Sequence, residues 1–222
     1  MIEKQYAVIG LGRFGSSLSR ELVKLGYEVL GIDINEERVH EMSQVLTHTV
    51  VADCTEEEVL RSLGIRNFDC VVVAIGNDMQ ASILTAIVLK DAGVTKVVAK
   101  ALSELHGKVL QKIGVDRVIY PERDMGIRVA HQLVSPNLLD YIELSDDYTI
   151  AELSVPQKMC GNTLHDMNPR AKYGCSVVAI IKKSGVIVAP SATDMLEMDD
   201  LMVVIGKNDG IEKFEDDLER SS

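Results

Sequence analysis

Gly10, Gly12 and Gly15 stand between a continuous apolar run, "QYAVIGL", and a segment carrying Leu18, Leu22 and Leu25 at helical spacing. The run suits a parallel strand covered on both faces. The leucines suit an amphipathic helix that Gly26 ends. In this context the first glycine permits the tight turn, the second lets backbone approach a pyrophosphate, and the third lets helix and strand pack closely. The helix N-terminus then offers unpaired N–H groups and a positive dipole end to an anion. Asp33 follows eighteen residues after Gly15, at the tip of the next strand, "YEVLGID". An acid there accepts hydrogen bonds from both ribose hydroxyls and repels a 2′-phosphate. The pattern calls for an adenosine-containing nucleotide and disfavours NADP.

The alternation continues. "NEERVHEMSQ" reads as a helix capped by Asn35, and "HTVVAD" as a third strand. "TEEEVLRSLG" reads as a helix capped by Thr55, with Glu58 placed for a capping box. "DCVVVAIG", "KVVAKA" and "DRVIYPE" supply three more strands, separated by "DMQASILTAIVLKDAG" and "LSELHGKVLQKIG" and followed by "RDMGIRVAHQLV" as helices. Six strands alternating with helices predict an α/β fold, a Rossmann-like doubly wound parallel sheet. Ligands sit at the carboxyl ends of such strands. Asp53, Asn77 with Asp78, Lys100 and Glu122 are expected at those ends, and several of them should line one crevice. Each of them read alone is more often a helix cap than a contact. Arg13 inside the glycine loop has two readings: a phosphate or neighbouring-subunit contact, or a solvated arginine on the first helical turn.

Beyond residue 135 the pattern changes to short strands with brief helices: "SPNLLDYIELSDDYTIAELSVP", "LHDMNPRAKYG", "CSVVAIIKKSGVIVAP" and "DLMVVIGKNDGIEKFEDDL". Gly185 after Lys183 and Ser184 fits a hairpin turn. Two domains are expected, residues 1–135 and a small α+β domain at 140–222, with a hinge near Ser135 to Tyr141. The acidic tail "FEDDLERSS" reads as a frayed, solvated helix.

The 222 residues carry a net charge of −11, and that charge argues against nucleic acid and gives no support to contact with anionic lipid headgroups. The longest apolar runs, such as "VVVAI", are strand-sized, and "MIEKQYAVIG" enters a strand directly, so the expected location is the cytoplasm. Cys54, Cys70, Cys160 and Cys175 are widely spaced and read as small hydrophobes rather than as disulfide or zinc partners. A small NAD-dependent oxidoreductase is the rival reading. It needs a general acid or base beside the nicotinamide, and none of His40, His48, His106, His131 or His165 stands in a motif with an acid. The sequence favours a nucleotide sensor over a catalyst.

"AVIGLGRFG", "LGIRNFDCVVVAIGNDMQASILTAIVLK", "KVVAKA", "KIGVDRVIYPERDMG" and "RAKYGCSVVAI" together resemble the regulator-of-potassium-conductance (RCK) family, over essentially the whole chain. The resemblance implies a nucleotide-binding RCK domain followed by a small α+β RCK_C domain. It implies dimers assembled into an octameric ring, docked from the cytoplasm on a membrane-embedded potassium-translocating subunit. ATP would favour the conducting ring and ADP the inactive one, with NAD or NADH as alternative ligands. Gly10, Gly12, Gly15 and Asp33 carry over to nucleotide binding, and Phe14, Ile34, Asp53, Ala74, Ile75, Gly76, Asn77 and Lys100 are expected around the same ligand. Arg13 matches the arginine that approaches the terminal phosphate from the adjacent subunit. Glu122 matches an acid associated with a cation (Mg, Ca or Na) at the dimer's nucleotide site. Arg170 matches the basic residue for cyclic di-AMP in the C-terminal domain, although Pro169 just before it departs from the pattern.

Overall fold

The computed structural model describes residues 4–134 and 138–220. Its contacts divide the chain into two compact units, Met1–Glu122 and Arg123–Ser222.

In the first unit the strands are β1 (Gln5–Ile9), β2 (Glu28–Asp33), β3 (His48–Val51), β4 (Cys70–Val73), β5 (Val97–Lys100) and β6 (Arg117–Ile119). All pair in parallel, in the order β3-β2-β1-β4-β5-β6. This is the doubly wound order, in which the winding reverses between β1 and β4. Parallel neighbours need crossovers, and helices supply them: α1 (Arg13–Lys24), α2 (Glu36–Met42), α3 (Glu57–Ser62), α4 (Met79–Asp91) and α5 (Glu104–Ile113); α6 (Pro121–Val134) leaves the sheet after β6 and runs from the first unit into the second.

Strand periodicity sorts the apolar side chains between two cores. Ala7, Ile9, Val71 and Val73 pack on one face with Leu60 of α3, Leu89 of α4 and Leu110 of α5. Val8 and Val72 face the other way, toward Val39 and Met42 of α2 and Leu18 and Leu22 of α1. Both faces are covered, which is why these strands read as unbroken apolar runs.

Two boundaries differ from expectation for local reasons. The third helix has Glu56 at its N-cap without a side-chain bond, not Thr55. Thr55 is instead taken by Asp53, whose Oδ1 accepts from the Thr55 backbone N–H at 2.9 Å and from its hydroxyl at 2.7 Å. That competing local turn displaces the capping box. Pro121 and Glu122, expected to close the sixth strand, open α6 instead. Proline at the first helical position loses no hydrogen bond and has φ already set for a helix.

The second unit holds β7 (Leu138–Ser145), β8 (Tyr148–Ser154), β9 (Ser176–Lys182), β10 (Gly185–Val188) and β11 (Leu201–Lys207) in one antiparallel sheet, ordered β10-β9-β11-β8-β7. β9 and β10 form the expected hairpin, with Lys182 opposite Gly185 across a two-residue turn. Of the expected hinge, Leu138 to Tyr141 are strand residues in β7, while Ser135, Pro136 and Asn137 lie outside the described residues. The short helices are α7 (Leu164–Met167) and α8 (Pro169–Tyr173). Pro169 sits at the start of α8, after Asn168 in the left-handed region at φ 46°. Proline at that first helical position loses no hydrogen bond.

The acidic tail is not frayed where it is described. It forms α9 (Asn208–Arg220), which buries Ile211, Phe214 and Leu218 against Leu153, Met202 and Val204 of the sheet. Its acids lie between these residues, so a net count of charge hides an amphipathic face. Phe214, 1% exposed, stacks on Tyr173 with ring centroids 4.9 Å apart. Replacing Phe214 by alanine is expected to cost about 3–5 kcal/mol. Lys213→Ala, on the solvent side, should stay within about 0.5 kcal/mol. Urea unfolding of the two variants checks this, and a solvated tail would make them equal.

Candidate functional site

The reversal of winding leaves a crevice over the carboxyl ends of β1 and β4. A cavity of about 550 Å³ occupies it, within the usual range for small-molecule sites. Its walls include Gly10, Gly12, Arg13 and Phe14 from the first turn, Asp33 at the end of β2 and Ile34 after it, Asp53 after β3, and Ala74, Ile75, Gly76 and Asn77 after β4. Lys100 at the end of β5 and Glu122 in the first turn of α6 complete the group. Asp78 also lines the cavity and caps α4, its Oδ1 accepting from the Ala81 N–H at 2.9 Å.

The three glycines do different work. Gly10 has φ of 96°, and a Cβ there would lie 2.9 Å from the Ala74 carbonyl carbon and the Ile75 nitrogen. A Cβ on Gly15 would lie 1.8 Å from the Gly10 oxygen. These two glycines let β1, α1 and the end of β4 close on one another. Gly12 is different: a Cβ there meets no atom within 4 Å, and its φ of −68° is open to any residue. Its bare backbone faces the cavity at the N-cap of α1 with no side-chain cap. The positive end of α1 is thereby presented to whatever the cavity holds.

Asp33 has structural duties beyond those expected of it. It is 6% exposed. Its Oδ2 accepts from the Leu11 N–H at 2.6 Å, and its Oδ1 from the Asn35 N–H at 2.8 Å. The carboxylate thus ties the glycine turn to the start of α2. Arg38, which the sequence reading missed, stands 3.5 Å from Oδ2 and lines the cavity. The signal for it lay in the Asn35 cap, which receives the Arg38 N–H at 3.0 Å and so starts the helix that brings the guanidinium back to the acid. An ionised carboxylate has about four acceptor sites, so these contacts leave room for ribose hydroxyls.

At the other end of the cavity Lys100 is ion-paired with Glu122. Its ammonium lies 5.9 Å from the Phe14 ring centroid. The hydrogen bond from Lys100 holds the Glu122 carboxyl below the usual carboxylate range, and the charge of Arg13 acts in the same direction. Cys54, also on the wall, is a neutral apolar contact: burial, aided by Asp53 and Asp33, pushes its thiol up to about 12.

Among the described residues no histidine lines this cavity. His106 is buried in α5, where its Nδ1 accepts from the Leu102 N–H at 3.2 Å and burial lowers its pKa. Among the described residues no group of three His, Cys, Asp or Glu side chains is placed to hold a metal ion. In the second unit Arg170 is exposed on α8. It does not line the small cleft of about 210 Å³ formed by Met159, Asn162, Asp166, Met167, Lys172, Tyr173 and Phe214. No described helix is long and apolar enough to cross a membrane.

Residues 6–121 match the TrkA-N domain, and residues 148–219 match the TrkA-C domain. The chain is 48% identical over 214 residues to "Ktr system potassium uptake protein C" of Bacillus subtilis (strain 168), covering 96% of this chain and 97% of that protein. It is 41% identical over 207 residues to "Ktr system potassium uptake protein A" of Vibrio alginolyticus, covering 93% and 94% respectively. A solved structure described as "GsuK channel bound to NAD" superimposes with a TM-score of 0.65 at 17% identity, over 94% of this chain. The match spans 38% of that channel chain, and the likeness is one of fold.

The glycine geometry separates packing from ligand access. Gly12→Ala should melt within a degree or two of the parent protein, since nothing occupies its Cβ position. Gly15→Ala should lose about 3 kcal/mol or more, because the obstacle is backbone. Thermal melts of the two variants read the difference directly.

Proposed function

This chain belongs to the family of proteins that join a TrkA-N domain to a TrkA-C domain, and on that footing we propose that it is a nucleotide-sensing regulatory subunit of a potassium-uptake system. The relatives named for Ktr potassium uptake, matched over nearly their whole length, support the transport role. The observation that carries the sensing role is the crevice itself: an open Gly12 backbone at the α1 N-terminus, with the Asp33 carboxylate beside the same glycine turn, bonded to the Leu11 N–H. That arrangement suits a ligand with phosphate at one end and a ribose diol at the other. ATP, ADP, NAD and NADH all contain that unit.

The same reading places the subunit in the cytoplasm, on the inner face of the membrane. Dimers join into an octameric ring that docks on the membrane-embedded potassium-translocating subunit. ATP activates and ADP inactivates. Loop and ribose contacts are common to both nucleotides, and only differential contacts shift a two-state equilibrium. Arg13, exposed at the mouth of the loop, is the residue assigned to the terminal phosphate, reaching the site of a neighbouring subunit. Glu122 joins a cation (Mg, Ca or Na) there when two subunits meet. Cyclic di-AMP inhibits through the second unit, with Arg170 as its phosphate partner.

Three binding measurements test this reading on the full chain. Asp33→Ala should weaken ATP and ADP together, by roughly 1.5–3 kcal/mol for each charge-assisted bond lost. Unchanged affinity in calorimetry, on protein that still melts cooperatively, would remove the ribose assignment. Arg13→Ala should spare ADP and erase the preference for ATP, and in reconstituted transport it should equalise ion flux in the two nucleotides. Parallel weakening of both would make Arg13 a brace of the loop. Arg170→Ala should abolish cyclic di-AMP binding and leave ADP binding unchanged.

A further inference from the structure

The Lys100–Glu122 pair is asymmetric. The lysine side chain is 8% exposed, fixed at the end of a central sheet strand and walled by Phe14 and by Gly76, whose Cβ position lies 3.5 Å from the ammonium. The glutamate side chain is 69% exposed and belongs to the first turn of α6, the helix that leads out of the sheet. A buried ammonium needs an anion beside it, because an unpaired charge out of water is strongly destabilising. Glu122 supplies that anion from an exposed position at the edge of the cavity. The phosphate groups of a nucleotide, received at the N-terminus of α1, would enter the same cavity, which both Phe14 of α1 and Lys100 line.

We propose that Lys100 is an internal counter-cation with two competing partners, the Glu122 carboxylate and the nucleotide phosphates, so that phosphate binding releases the first turn of α6. The lysine is the immobile member, and the exposed glutamate is the one that leaves. When phosphate takes the ammonium, Glu122 loses its partner within the chain and its carboxylate becomes available to another cation. Nucleotide occupancy is thereby linked to the start of the helix that continues into the second unit. Linkage is reciprocal: whatever frees Lys100 from Glu122 must strengthen phosphate binding. This inference rests on the nucleotide reading of the cavity and adds to it a direction of coupling.

The decisive experiment is calorimetric titration of the full-length protein with ADP in EDTA, so that no divalent ion bridges phosphate and carboxylate. Glu122→Gln should tighten ADP, on the order of fivefold or more. Lys100→Met should weaken it. In the double variant the gain from Glu122→Gln should vanish, which separates release of Lys100 from a general loss of negative charge near Arg13. Melting without ADP supplies a second readout: Glu122→Gln should lower the melting temperature, and adding Lys100→Met should restore part of the loss. If the parent protein binds ADP while Glu122→Gln leaves its affinity unchanged or weaker, or if the gain persists in the double variant, the exchange is wrong and the nucleotide reading stands. If the parent protein binds none of ADP, ATP and NADH, the nucleotide reading falls and takes the exchange with it.

Discussion

The first unit is organised by one close approach of backbone to backbone. The carbonyl of Gly10 sits where a Cβ of Gly15 would be, and Gly10 itself lies against Ala74 and Ile75. Only because those two side chains are absent can β1 turn directly into α1 while the end of β4 packs alongside. That approach brings the α1 N-terminus over the point where the winding reverses. A crevice between β1 and β4 follows from topology, and its electrostatic character follows from which end of the helix faces it.

Charge within the crevice is distributed unevenly. Asp33 is buried, and its two oxygens already accept backbone N–H groups from either side, so the acid stabilises the turn. Lys100 and Glu122 at the other end are a paired buried cation and exposed anion. A ligand entering there exchanges partners within an existing network, and the energetic question is which anion the lysine prefers. This differs from a site built of free charges, where binding strength alone would be set. On the exchange we propose, binding and the position of a helix end are tied together.

Several features were legible from residue order. The Asn35 cap, the glycine turn, Asp33 at its strand tip, the six parallel strands and the Lys183–Ser184 hairpin turn are dictated by local patterns of period two or 3.6, and by turn chemistry. Other features were misread where two local motifs competed for the same residues. Thr55 fits a capping box, yet Asp53 takes it first, two residues away. "YPE" fits the end of a strand, yet Pro121 starts a helix equally well. The tail "FEDDLERSS" was judged by its charge, while its fate turned on the spacing of Ile211, Phe214 and Leu218 against a sheet formed by residues far back in the chain.

By itself the sequence determined the order of elements, the doubly wound class and the place of the glycine turn, because each depends on neighbours within a few residues. It also singled out Lys100 and Glu122 as polar residues near strand ends. Only the tertiary structure decided that these two meet, that one is buried and the other exposed, and that Arg38 returns to Asp33. Those facts depend on β5 lying between β4 and β6 and on α6 beginning at Pro121. Strand order and helix starts are settled by packing across the whole sheet, and a pattern read a few residues at a time has no access to that competition.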